Sequence, residues 1–448
     1  MAASRRRLGP LTATLLVVAN MVGTGVFTTT GFLVRDIPSS PAILVSWLIS
    51  GILALCGALS YGELTAALPR NGGEYQLLSR IYHPLFGFVA GFVSLIVGFS
   101  APIAAAALAF GRYLVVLLPG VDSAKPGVVP VVAALSLVIL LSTLHAAHVR
   151  VGGGVQNIFT LTKVGLIAVY IVGGLFRGDM SRIVSASTAS TVSTMGSAII
   201  SPAFAVGLIY ISFSYSGWNG AAYLAGEVKR PARTLPMALV FGTLLVTVLY
   251  AGLNVVFLAA APRAALAGKV EIGHVAARAL FGSGAGDALS AVIALALVSS
   301  VSAMVMAGPR VYQAMGDDCP RLHLLSYRSV SGGPVVSITL QGLVALAMIL
   351  TSTFELLLSY IGFTLSISAG LTVFGVLVLR RREPGLDRPY KSLGYPLTPL
   401  LFVALSLWMA GHALFAKPVV GLAGLGTLAV GALLYLVLGP HAGRAVVR

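Results

Sequence analysis

Apolar runs of about 20 residues recur along this chain from one end to the other, each long enough to cross about 30 Å of hydrocarbon as a helix. That repetition excludes most soluble folds. A bilayer offers no partner to an open backbone, so such runs must satisfy their own N–H and C=O groups as helices. They read as about 12 spans, near residues 11–33, 41–68, 85–118, 128–145, 154–176, 198–225, 236–260, 285–309, 334–352, 355–379, 396–415 and 418–438. Mean hydropathy is +0.96 and only 9% of residues are charged, against roughly 25% in soluble chains. No polar stretch is long enough to fold separately, so residues 1–448 are expected to form one all-α membrane domain.

A net charge of +16 would also suit a nucleic-acid binder. Placement of the charges argues otherwise. Loops between successive spans alternate sides, and one set of alternate loops holds 19 of the 29 Lys and Arg residues, among them Arg5–Arg7, Arg150, Lys229, Arg230, Arg310, the 380–391 cluster, Arg444 and Arg448. The positive-inside rule therefore puts both termini in the cytoplasm, with the basic loops beside anionic lipid and no nucleic-acid partner. The first apolar run is too long for a signal peptide and has no Ala-x-Ala-type site after it, so it is expected to remain in the mature protein. Cys56 and Cys319 are too few for a disulfide framework and match no metal-ligand spacing.

The first run carries an oddity. Ala-Asn-Met-Val-Gly-Thr-Gly-Val-Phe-Thr-Thr-Thr-Gly-Phe (19–32) places Gly23, Thr24 and Gly25 mid-span, and glycine and β-branched threonine are weak helix formers. The sixth run repeats it with Ile-Ser-Phe-Ser-Tyr-Ser-Gly-Trp-Asn-Gly (211–220). Small residues also let transmembrane helices pack closely, and Gly-Thr-Gly alone favours that reading. Two breaks at matching places in two halves instead point to a transporter's binding site. Gly23–Gly25 and Ser214–Gly217 are then expected to be unwound backbone lining a cavity. N–H groups at the start of a half-helix suit a carboxylate, and carbonyls freed at the end of another suit an ammonium.

Gly-Thr-Gly-Val-Phe in the first span, Phe-Ser-Tyr-Ser-Gly-Trp-Asn in the sixth and Gly-Glu-Val-Lys-Arg-Pro-Ala-Arg-Thr-Leu-Pro after it resemble the amino acid–polyamine–organocation superfamily. Asn-Gly-Gly-Glu-Tyr (71–75) and Arg-Pro-Tyr-Lys-Ser-Leu-Gly-Tyr-Pro-Leu-Thr-Pro (388–399) fit the same family, nearest its L-type amino acid transporters and their bacterial relatives. The resemblance implies a leucine-transporter-like 5+5 inverted repeat with broken helices 1 and 6: repeat 1 over about 11–176, repeat 2 over about 198–379, and additional helices over about 396–438. It implies sodium-independent transport across the cell membrane by alternating access, as proton symport or exchange, without a cofactor. By the same resemblance Met21, Gly23, Thr24 and Gly25 hold the substrate's carboxylate and flank its amine, while Phe213, Ser214 and Ser216 line the side-chain region. Phe213 is the outer lid, and Trp218 and Asn219 shape the second half-helix.

Lys163 is the one lysine well inside a span, and intramembrane charge is costly enough to imply use. The resemblance puts it where sodium-coupled relatives bind their ion, as a fixed cation bridging spans 1, 5 and 8 or as a proton carrier; snorkelling to the interface is the alternative. Arg112 is expected near the outer mouth, and Glu63 as partner to a loop arginine. Glu227, Lys229, Arg230 and Arg233 suit either an inner gate with Glu63 or Arg310, or a solvated face. His145 and His148 lack a third metal ligand. The spans show no catalytic constellation, which excludes an enzyme, and no filter-like repeat, which excludes a channel. A transport-silent sensor of the same fold stays open. The outer loops are poor in cysteine, so no disulfide-linked ancillary subunit is expected. The pocket residues foreseen around the breaks, including Phe99 and Tyr215, contain no carboxylate, so neutral amino acids are expected, with cationic amino acids or polyamines as the alternative.

Overall fold

A computed structural model describes residues 8–121, 127–147, 153–184, 195–328 and 333–438. Arg5–Arg7, His148, Arg150, Arg444 and Arg448, weighed above, lie outside the described residues. Among the described residues the regular elements are helices, and the one β contact is an isolated bridge between Leu8 and Val228.

The helices that position the site are α1 (Pro10–Met21), α2 (Thr29–Asp36), α3 (Ser40–Ala67), α4 (Glu74–Ile81), α5 (Pro84–Val93), α6 (Ala101–Val115), α7 (Val129–Ala146) and α8 (Gly153–Arg177). They continue with α9 (Pro202–Tyr215), α10 (Pro231–Ala260), α11 (Ile272–Phe281), α12 (Ser283–Ala307), α13 (Pro309–Asp318), α14 (Val335–Thr351), α15 (Phe354–Arg382), α16 (Leu397–Ala416) and α17 (Pro418–Leu438). Several begin with the expected chemistry. Ser39, Ser201 and Thr353 each accept a hydrogen bond from the backbone N–H three residues on, and Pro41 and Pro202 sit in the first helical turn, where a missing donor costs nothing.

Among the described residues, nine helical stretches are long and apolar enough to cross a membrane. They coincide with nine of the expected spans. The other three are shorter for visible reasons: the first and sixth are interrupted, and the ninth is the 17-residue α14. The multi-pass membrane architecture therefore stands. The seventh span differs in detail. It starts at Pro231 and runs straight through Pro236, five residues earlier than hydropathy suggested.

Two groups of helices share the core. α3 and α10 lie along each other for most of their lengths, with α1 against α10; α6 packs between α7 and α12. The alanine-rich stretch of α6 permits that close approach, and Ala104–Ala107 and Ala109 are fully buried.

Charged groups gather at the two ends of the bundle. On the face that carries Pro10, Glu63 Oε2 accepts from Arg380 at 2.6 Å and from the Ser392 backbone N–H at 2.7 Å, and Arg388 lies 3.5 Å away. The partner of Glu63 therefore comes from the 380–391 cluster, not from the 227–233 segment. Arg80 grips Glu383 at 2.6 Å and holds its carboxyl below the usual carboxylate range. On the opposite face Glu355 takes two hydrogen bonds from Arg35, both at 3.0 Å, and one from Lys417 at 2.8 Å.

Candidate functional site

The first break is built by three residues that refuse the helix. Gly23 N–H turns to the Met21 carbonyl at 2.8 Å instead of reaching back four residues, and a short 3₁₀ turn, Gly25–Phe27, follows before α2. Among the described residues no hydrogen bond uses the N–H groups of Thr24, Gly25 or Val26. The Ala19 and Asn20 carbonyls likewise lose the donors a continuous helix would supply. Thr28 Oγ1 donates to the Thr24 carbonyl at 2.9 Å, which fixes the turn without consuming those donors.

The second break comes later than the sequence suggested. Ser214 and Tyr215 still belong to α9; the chain leaves the helix at Ser216 (φ −55, ψ 143) and Gly217 (φ +97). The reason is local. Ser216 donates to the Phe213 carbonyl with both its backbone N–H (2.9 Å) and its hydroxyl (2.6 Å), tightening the last turn, and Gly217 then takes a left-handed conformation that other residues resist. A Cβ on Gly217 would also stand 2.7 Å from the Asn20 carbonyl oxygen. The following 3₁₀ segment, Gly220–Glu227, replaces the expected second half-helix.

The two breaks touch. Thr29 and Ser214 share a hydrogen bond of 2.8 Å, and the Tyr250 hydroxyl on α10 lies 2.6 Å from the Met21 carbonyl and 3.1 Å from that of Ser214. Met21 O is thus engaged, whereas the Ala19 and Asn20 carbonyls beside the cavity are left without helix donors.

Between the breaks lies a cavity of about 190 Å³. Met21, Gly23, Thr24, Gly25, Phe213, Ser214, Ser216 and Trp218 all line it. It extends from the breaks toward the face that carries Pro10, reaching Leu16, Tyr223 and Arg310. Phe213 is 5% exposed and walls the other side. Trp218 is pinned edge-on between Tyr61 and Phe402, with ring centroids at 4.7 and 6.0 Å. Phe99 enters from a π-helical turn, Ser94–Ser100, an irregularity that hydropathy does not register and that often marks functional helices. The Ser50 and Ser406 hydroxyls also line the wall and have no partner among the described residues.

Lys163 lies outside this cavity. It faces a smaller one of about 30 Å³ beside Val22, Phe27 and Ile293, and its Nζ donates to Ser300 Oγ on α12 at 3.3 Å. Ser300 in turn lines the main cavity. The amine therefore points inward between the first break and α12, which does not fit snorkelling.

One expectation fails here. The pocket wall does contain a carboxylate, because Glu74 lines it. Hydropathy hid Glu74 in a polar connection, and nothing in its spacing signals that α4 folds back against α15. Arg112, on α6, is not among the cavity's lining residues. His145 donates to or accepts from Ser302 at 2.8 Å, and the described residues contain no cluster able to hold a metal.

A family model described as amino acid permease matches residues 8–438. The serine/threonine exchanger SteT of Bacillus subtilis is 31% identical over 433 residues, covering 94% of this chain and 95% of its own length. The b(0,+)-type amino acid transporter 1 of Mus musculus is 28% identical, covering 92% and 84%. The large neutral amino acids transporter small subunit 2 of the same organism is also 28% identical, covering 97% and 81%.

Proposed function

The chain belongs to the amino acid permease family, and on that premise we propose that it carries neutral L-amino acids across the cell membrane, without sodium, by alternating access. The observation that carries this reading is the run of free N–H groups at Thr24, Gly25 and Val26 at the first break, with Thr24 and Gly25 on the wall of a cavity closed at its other side by Phe213. Unengaged N–H donors at a half-helix start suit a carboxylate, and the Ala19 and Asn20 carbonyls take the ammonium. The side chain then lies among Phe213, Ser214, Ser216 and the neighbouring apolar wall. The paired breaks support an inverted repeat, and the basic loops support cytoplasmic termini. The cavity's extension toward that face corresponds to an inward-facing state. Both cysteines are buried, which fits a chain without a disulfide-linked partner.

A second reading has one observation in its favour. Glu74 offers a carboxylate that a cationic side chain could seek. Its oxygens are already engaged by Tyr61, Asn219 and Ser368, so a cation would have to displace them. Counterflow of labelled L-alanine in proteoliposomes decides between the two. Serine, alanine and leucine are expected to compete better than arginine, lysine or putrescine; the reverse order makes the carrier cationic.

The lid can be tested separately. Closing Phe213 over bound substrate excludes water and completes the occluded state. Phe213→Ala is therefore expected to lower the exchange rate several-fold more than it weakens equilibrium binding of the same amino acid. Wild-type values for both would remove Phe213 from the gate.

A further inference from the structure

Glu74 has no task in the clamp just described, yet it stands where four segments meet. Its Oε1 accepts from the Tyr61 hydroxyl at 2.6 Å and from Asn219 Nδ2 at 3.1 Å; its Oε2 accepts from Ser368 Oγ at 2.5 Å. These partners come from α3, the second break and α15. All are neutral. Among the described residues no lysine or arginine forms an ion pair with Glu74. The titratable or charged groups around it are Tyr61 on α3, Tyr223 in the 3₁₀ segment and, elsewhere on the cavity wall, Arg310. Glu63 is a useful contrast: it is 2% exposed, Glu74 is 4% exposed, but Glu63 has two guanidinium partners.

A buried carboxylate without a counter-ion is costly, and taking up a proton removes that cost. Burial pushes the Glu74 carboxyl above the usual carboxylate range, while the bonds from Ser368, Tyr61 and Asn219 oppose the shift. The partner set also accommodates either state. The ionised group accepts all three bonds. Protonated at Oε2, it can donate to Ser368 Oγ, because a serine hydroxyl can accept while turning its own proton elsewhere. Tyr61 and Asn219 go on donating to Oε1. An arginine-paired glutamate such as Glu63 has no such freedom, since guanidinium only donates.

We propose that Glu74 is a reversible proton-binding site that couples proton movement to transport. It takes a proton from solvent hydronium at Oε2 when the cavity is open to water and returns it to water later in the cycle, and no other bond changes. One proton then accompanies one amino acid. This rests on the amino acid reading above and deepens it by naming the coupling group.

The full chain in proteoliposomes, with a trapped pH dye and labelled L-serine, provides the test. With wild type, adding L-serine outside is expected to acidify the lumen, and serine exchange should change several-fold between mildly acidic and neutral pH. Glu74→Gln keeps the hydrogen-bond pattern of the protonated form, so its exchange should be independent of pH and its acidification absent. A hydrophobic carbodiimide, which modifies protonated carboxyl groups, gives a readout on the unaltered chain: mass spectrometry should find the adduct on Glu74 at acidic pH and lose it at alkaline pH. Serine exchange without acidification in wild type would overturn the proposal, as would acidification persisting in Glu74→Gln, or a Glu74 that stays unmodified at acidic pH. No counterflow with L-serine, L-leucine or L-arginine would instead overturn the amino acid reading, and the adduct would still decide whether Glu74 binds a proton.

Discussion

Gly25→Ala is expected to cut amino acid exchange by about 100-fold, the scale of loss when reacting or binding groups shift by about 1 Å. A Cβ at position 25 would stand 2.4 Å from Ser214 Cα and 2.5 Å from its Oγ, distances that real side chains do not tolerate. The obstacle on one side is backbone, so relief requires the two breaks to separate. Separation breaks the Thr29–Ser214 bond and moves Met21 and Ser214 unequally against the single Tyr250 hydroxyl that spans them. It also shifts the free N–H groups of Thr24 and Gly25 on the cavity wall. Overpacking of this kind costs about 1–3 kcal/mol, which a large membrane bundle withstands. The measurement is counterflow normalised to protein recovered in the bilayer, beside Gly23→Ala as control. A Cβ on Gly23 meets nothing closer than 3.9 Å, so its effect should be much smaller. Equal activity for Gly25→Ala and wild type would mean the breaks do not act as one unit.

That contact illustrates how far the sequence was legible. Solvent, span positions and the existence of two breaks all follow from local composition. Apolar length sets a span, and glycine beside threonine or serine weakens a helix wherever it occurs. The position of the second break was misjudged because Ser214 could as well end a helix as sit inside one. What decides it is the double bond from Ser216 to the Phe213 carbonyl, a matter of rotamer and turn geometry.

Convergence over long separations was not legible at all. Ser368 reaches Glu74 across 294 positions, and Tyr250 reaches Met21 across 229. Glu74 stood in plain view within Asn-Gly-Gly-Glu-Tyr, but its neighbours are polar and its connection is short. Only the packing of α4 against α15 turns it toward the cavity. Tyr250 was equally hidden, as one aromatic among many in an apolar helix. Its role follows from where its hydroxyl lands.

Lys163 shows the opposite case, since its type and depth alone mark it, and the expected effect of removing it is large. α8 begins at Gly153, so Lys163 lies ten residues in, about 15 Å along the axis at 1.5 Å per residue. Its amine turns toward Ser300 and the first break, not back toward the helix end. On the proposed sodium-free reading, a cation fixed there stands in for a bound sodium ion, holding α12 through Ser300 beside the first break. A hydrogen bond from a charged donor contributes about 1.5–3 kcal/mol, and each 1.4 kcal/mol is tenfold. Lys163→Ala is therefore expected to lower exchange by about 10- to 100-fold while leaving insertion intact. Replacing external choline with sodium should change neither the wild-type rate nor the variant's deficit. Lys163→Arg should recover little, because the planar guanidinium cannot enter a cavity of about 30 Å³ as a compact ammonium does. Two results would count against this role. One is a wild-type rate that rises several-fold with millimolar sodium; the other is a Lys163→Ala variant that exchanges as fast as wild type.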